Sequence, residues 1–209
     1  LQGSTHQISV SSPQSGGAGT RYVYTSWSDG GAQSHTYTVP GADQVVTANF
    51  KTQYQLTVNS AHGSPTGAGW YDAGSSAPFG VTTPSAGSAG TRFVLTGWTG
   101  TGPGSYTGSS ASSSVTMNGP ITEEASWKTQ YQLTVNSAHG SPTGAGWYDA
   151  GSSAPFGVTT PAFGGAGTRY VFTGWTGTGT GSYTGPDASR TVTMNNPITE
   201  VAAWKTQYY

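Results

Sequence analysis

Apolar residues cluster with a period of two along this chain, and the 3.6-residue period of an amphipathic helix appears nowhere. In Tyr54-Gln55-Leu56-Thr57-Val58-Asn59 the tyrosine, leucine and valine share one face, the pattern of a half-buried strand. A second strand is predicted from Thr91 to Trp98, with Phe93 and Leu95 on one side and Arg92, Val94, Thr96 and Trp98 on the other. A short third covers Val115 to Met117. A fourth, Ile121 to Trp127, passes into the next apolar stretch with no Gly or Pro between them. Asp72-Ala73-Gly74 and Asp149-Ala150-Gly151 place Asp where its side chain can close a turn and Gly where positive φ is needed. Pro78 and Pro84 flank a short edge strand, because proline cannot donate to a central ladder.

This pattern is copied. Lys51 to Pro84 returns without a change, as 34 residues, at Lys128 to Pro161, and the offset of 77 recurs from Lys128 to Lys205. Thr20-Arg21-Tyr22-Val23, Thr91-Arg92-Phe93-Val94 and Thr168-Arg169-Tyr170-Val171 are three copies of a second half, each leading to Trp27, Trp98 or Trp175. The expected organisation is a partial repeat over 1–52, full repeats over 53–128 and 129–205, and the start of a further strand at 206–209. The fold class is all-β: a tandem array of small antiparallel modules, β-sandwich-like or β-grasp-like, of about six short strands each. Residues 7–10 match residues 79–81, so the first copy lacks an opening half; either the chain is a window on something longer or a neighbouring molecule supplies the missing strands. A unit of this size without disulfide or metal is only marginally stable alone, which favours stacking on neighbouring repeats or on copies of itself head to tail.

Composition narrows the function. Only 7% of residues are charged, Gly numbers 33 and no cysteine is present, which excludes a disulfide scaffold and any Cys-ligated metal. The net charge of -1 offers no basic stripe, so neither nucleic acid nor an anionic membrane surface is an expected partner, and no apolar run is long enough to insert in a bilayer. A Thr/Ser/Gly-rich, Lys-poor, cysteine-free surface suits an extracellular, cell-surface protein.

The TRYVFTGW-like strand, the Gly/Ser loop, the alternating strand ending in Trp-Lys or Phe-Lys and the following TQYQLTV resemble the divergent InlB B-repeat family of bacterial and archaeal surface proteins. Residues 26–35, Ser-Trp-Ser-Asp-Gly-Gly-Ala-Gln-Ser-His, and Trp70-Tyr71-Asp72-Ala73-Gly74 carry the resemblance most specifically. It implies an extracellular stalk, adhesin segment, filament or surface-layer component with no enzymatic activity.

Residues with chemical potential are few. Trp27, Trp98 and Trp175, with Trp127 and Trp204 at another repeated position, are expected in the core. Trp70, Trp147, Tyr106 and Tyr183, beside turns or in the Gly-rich loops, are the candidates for exposure and for contact with a partner such as a cell-surface glycan. Arg92 with Glu123, and Arg169 with Glu200, are candidate ion pairs, although Val46 stands at the corresponding acidic position of the first copy. Lys51, Lys128 and Lys205 raise the alternative of a Lys–Asn isopeptide cross-link, against which stands the rarity of buried lysine. His62 and His139 fit solvated turns and the single Asp residues do not make a calcium loop, so no metal or cofactor is expected. No nucleophile elbow or paired-acid arrangement stands out, and the chain is not expected to be an enzyme. Two functions remain: a non-catalytic rigid spacer, and a carbohydrate-binding or adhesive array using exposed aromatics.

Overall fold

A computed structural model describes residues 2–209, and among them there are strands and turns but no helix. The N-terminal part contains β1 (Thr5–Ser9), β2 (Gln14–Ser15), β3 (Thr20–Trp27) and β4 (Ser34–Thr38). Next come β5 (Ala48–Asn59), β6 (Gly69–Asp72), β7 (Ser76–Gly80), β8 (Ser85–Ala86), β9 (Thr91–Thr101) and β10 (Ser112–Thr116). The same six recur as β11 (Ile121–Asn136), β12 (Gly146–Asp149), β13 (Ser153–Gly157), β14 (Ala162–Phe163), β15 (Thr168–Thr178) and β16 (Ser189–Thr193), and β17 (Ile198–Tyr208) follows. The fold is all-β.

Two compact units form. One holds the chain up to Thr82 together with Gly97–Ser126, the other Thr83–Thr96 together with Trp127–Tyr209.

In the second unit β15 pairs antiparallel with both β14 and β17. The start of β17 also runs parallel to the end of β11, with Leu133 opposite Ile198 and Val135 opposite Glu200. β12 lies antiparallel to β11 on its other side, Gln130 facing Asp149. A separate ribbon of β13 and β16 supplies the second layer. Leu133, Val135, Phe156, Trp175, Val192, Met194 and Ile198 from both layers form one buried core. Alternation explains the choice: Leu133 and Val135 are two apart and point the same way, while Thr134 and Asn136 point away.

The first unit repeats the scheme. β5 pairs antiparallel with β3 and β6 and parallel with the start of β11, Leu56 opposite Ile121 and Val58 opposite Glu123. β7 and β10 form its ribbon. Leu56, Ala77, Phe79, Trp98, Val115, Met117 and Ile121 are buried there.

One feature departs from simple alternation. The β15–β17 register slips between Phe172 and Gly174, and the β3–β5 register slips between Tyr24 and Ser26. Such a bulge inserts one residue and turns the following side chains to the opposite face. Phe172 and Trp175, three apart, therefore meet at 5.4 Å instead of lying on opposite faces. In the corresponding strand β9, Leu95 and Trp98 are both buried.

Candidate functional site

The chain's few charges are organised rather than scattered. Six of the seven basic residues occupy two repeated positions, Arg21, Arg92 and Arg169 on one strand and Lys51, Lys128 and Lys205 on another. In the first unit, register places Arg21 opposite Gln53 across β3 and β5, and Gln53 opposite Asp72 across β5 and β6. Side chains on one face of three neighbouring strands consequently form a polar ladder. Arg21 Nε donates to Gln53 Oε1 at 2.8 Å, Gln53 Nε2 donates to Asp72 Oδ1 at 2.7 Å, and Lys51 Nζ donates to Asp72 Oδ2 at 2.9 Å. The guanidinium of Arg21 lies over the ring of Trp70 at 4.5 Å.

Every member is repeated in the second unit. Arg92 Nε donates to Gln130, Gln130 to Asp149 and Lys128 to Asp149 at the same three distances, 2.8, 2.7 and 2.9 Å, and Arg92 lies 4.5 Å over Trp147. Arg169 repeats the bond to Gln207 at 2.8 Å. The Gln53 amide first, and then the Lys51 ammonium, hold Asp72 below the ordinary carboxylate range; Gln130 and Lys128 do the same for Asp149. Sequence reasoning placed these Asp side chains as turn closers. The turn is instead closed by backbone, Ser75 N to Asp72 O at 3.0 Å, with Gly74 at φ 79, which leaves the carboxylate for the ladder.

A second repeated group is buried. Glu123 and Glu200 are fully inaccessible, and each accepts one backbone N–H through Oε1, from Tyr106 and Tyr183 respectively, at 2.8 Å. Their Oε2 atoms have no hydrogen-bond partner among the described residues. Burial raises the pKa of both carboxyls, and the single N–H bond opposes the shift only in part. The space exists because Gly177 stands opposite Glu200 and has no side chain. A Cβ there would sit 2.7 Å from Glu200 Oε2, and one on Gly100 would lie 2.7 Å from Glu123 Oε2.

The anticipated Arg–Glu ion pairs do not form. Arg169 faces Gln207 and Glu200 faces Gly177, so eight residues of β15 separate them, about 26 Å at ~3.3 Å per residue. Arg92 is engaged by Gln130 and Trp147, and Glu123 by the Tyr106 N–H. The lysines offered for a Lys–Asn cross-link point elsewhere as well: Lys51 and Lys128 face Asp carboxylates with side chains 44% and 43% exposed, and Lys205 is exposed opposite Val171. A solvated ammonium next to an ionised carboxylate is poorly disposed to attack an amide.

The aromatic candidates are half-buried rather than open. Trp70 and Trp147 lie under arginines, and Tyr106 packs edge-on against Phe79 at 5.9 Å. Tyr183 donates to Asp187 at 3.0 Å and lies beneath Arg190. Trp98 and Trp175 are buried core residues. His139, anticipated in a solvated turn, stacks on Tyr170 at 3.5 Å and meets the edge of Trp204. Sequence reasoning passed over Gln53 and Gln130 and gave Asp72 and Asp149 another role; the verbatim repetition of all four beside a repeated Arg and Lys was the available signal.

The model of the divergent InlB B-repeat domain matches residues 5–53, 54–130 and 131–207. The chain belongs to this family. No curated protein and no solved structure matches it. The B-repeat boundaries do not coincide with the compact units: Arg21 lies in the first B-repeat and Trp70 in the second, while Arg92 lies in the second and Trp147 in the third. Each Arg–Trp stack thus joins one B-repeat to the next inside a single compact unit.

Proposed function

We propose that this segment is a non-catalytic spacer of a cell-surface protein, in which consecutive repeats are tied together and length is the functional product. The observation that carries this reading is the interlock. Arg21 and Gln53 of one repeat are held by Trp70 and Asp72 of the following one, and the same two contacts recur between Arg92 and Trp147 and between Gln130 and Asp149. Stability in such an array comes from nearest-neighbour terms as well as from each repeat. Association of the family with cell surfaces and the low-charge, cysteine-free composition support an extracellular location. Stalk, filament and surface-layer roles all use the same property. An adhesive array built on exposed aromatics is less well supported, since the recurring rings are packed into cores or covered by arginines.

Small-angle X-ray scattering of the 209-residue chain tests the proposal. A single extended, stiff particle is the expected result. An ensemble of beads moving independently would refute it.

A further inference from the structure

We infer that Arg21 and Trp70 form a binding subsite for the carboxylate of an acidic sugar, a hexuronate in a polysaccharide, and that Arg92 and Trp147 repeat its chemistry. The inference is independent of the spacer reading, which scattering could overturn without touching it.

The charge pattern points to it. Lys51 is neutralised by Asp72 and Lys128 by Asp149, whereas no carboxylate pairs with Arg21 or Arg92 among the described residues. A half-buried cation without a counterion is unusual in a chain with so few charges, because partial desolvation is not offset. Both guanidiniums are also held still. One face lies on an indole and Nε is bonded to a glutamine, so the terminal nitrogens are fixed in direction and have no protein partner among the described residues. That leaves the two-pronged Nη edge available, the geometry that accepts a planar carboxylate through two parallel N–H···O bonds with little further loss of side-chain entropy.

The surroundings favour a sugar as the bearer of that carboxylate. Arg21 opens on a pocket of about 380 Å³ whose wall includes Pro13, Gln14, Ser15, Thr20 and Trp70. This lies within the range of roughly 300–1,000 Å³ usual for small-molecule sites. Hydroxyls and an amide line it beside two apolar ring edges, which suits a ligand with hydroxyls around its rim and C–H groups on its faces. Arg21 is the one charged residue in the lining, so a single anionic group is what the pocket can neutralise.

The test uses the whole chain, with oligogalacturonate as the probe and neutral galacto-oligosaccharide, a sulfated galactan and polyglutamate as comparisons. Titration is followed by calorimetry and by the Arg Nε–H resonances, up to roughly 10 mM anionic groups, about ten times what half-fills a millimolar site. Saturable binding of oligogalacturonate is expected, with shifts at Arg21 and Arg92 and none at Arg190. Binding should weaken at least tenfold in the double variant R21Q/R92Q and also in R21K/R92K, which keeps the charge and loses the fork. Should those variants unfold, the resonance shifts in the unmodified protein decide alone. Equal binding of the neutral oligosaccharide, preference for the sulfated galactan or polyglutamate, shifts confined to Arg190, or no binding at all would each overturn the inference.

Discussion

The backbone N–H of Tyr106 reaches Oε1 of Glu123 at 2.8 Å, while Oε2 of the same buried carboxylate meets no donor among the described residues. Tyr183 and Glu200 repeat the relationship at the same distance. A carboxylate closed off in this way is more comfortable as the neutral acid, so acidity favours the folded state locally.

The sign of the pH effect follows. Folding raises both pKa values above the unfolded value of about 4.3, so the folded chain holds more protons than the unfolded one once pH exceeds that value. This contribution to stability is fully present below about pH 4.3 and declines as pH rises through the raised folded values. The double variant E123Q/E200Q should flatten that decline. Thermal unfolding at half-unit steps from pH 4 to 8 measures it, and an unchanged slope in the variant would count against burial as the cause.

Gly177 is held to glycine by space. A Cβ would approach the carbonyl oxygen of Tyr183 to 2.5 Å and Glu200 Oε2 to 2.7 Å, and the first of these is backbone that yields poorly. Gly177→Ala is expected to destabilise by about 1–3 kcal/mol, the usual cost of overpacking. Urea unfolding gives the value, and a change within error of zero would show that the loop moves freely.

Loss of the ladder's outer end should matter little. Lys51 and Asp72 have side chains 44% and 47% exposed, and solvent screens such a pair so that it adds little to stability. Lys51→Ala should therefore be close to neutral. Asp72→Ala should cost more, since it also removes the acceptor of Gln53. A double-mutant cycle separates the two terms, and intact mass provides a further check: an unmodified chain mass is expected, without the loss of ammonia that an isopeptide bond would bring.

Core and ladder aromatics should separate clearly. Trp175 is 2% exposed and contacts both Phe156 and Phe172, so Trp175→Ala is expected to cost about 3–5 kcal/mol. Trp147→Ala removes a half-buried ring and one cation–π contact; that contact contributes about 0.5–1 kcal/mol. Equal losses at the two positions would contradict the assignment of Trp175 to the core.

Much of the architecture was legible because period-two alternation and verbatim repetition are local signals. Leu56, Val58, Leu133 and Val135 announce their strand faces in the sequence itself. What was not legible depends on pairing between distant strands. The bulge beyond Phe172 is marked locally only by Gly174, which the first copy replaces with Ser26, so alternation alone does not show that Phe172 and Trp175 share a face. The Arg169–Glu200 pair failed for the same reason: alternation says which face a side chain takes but nothing about its height along the strand, and register put the two at opposite ends of β15. The ladder needed both facts at once. Arg21, Gln53 and Asp72 are close only because β3, β5 and β6 stand side by side in one register.

The identical 34-residue blocks carry Lys, Gln, Trp and Asp of the ladder, and the Arg that completes each junction arrives on the strand before the next block. A genetic crossover anywhere between two such blocks would delete or insert 77 residues and still leave every arginine opposite its indole. Such an array can change its length between generations in whole steps, with no junction to redesign.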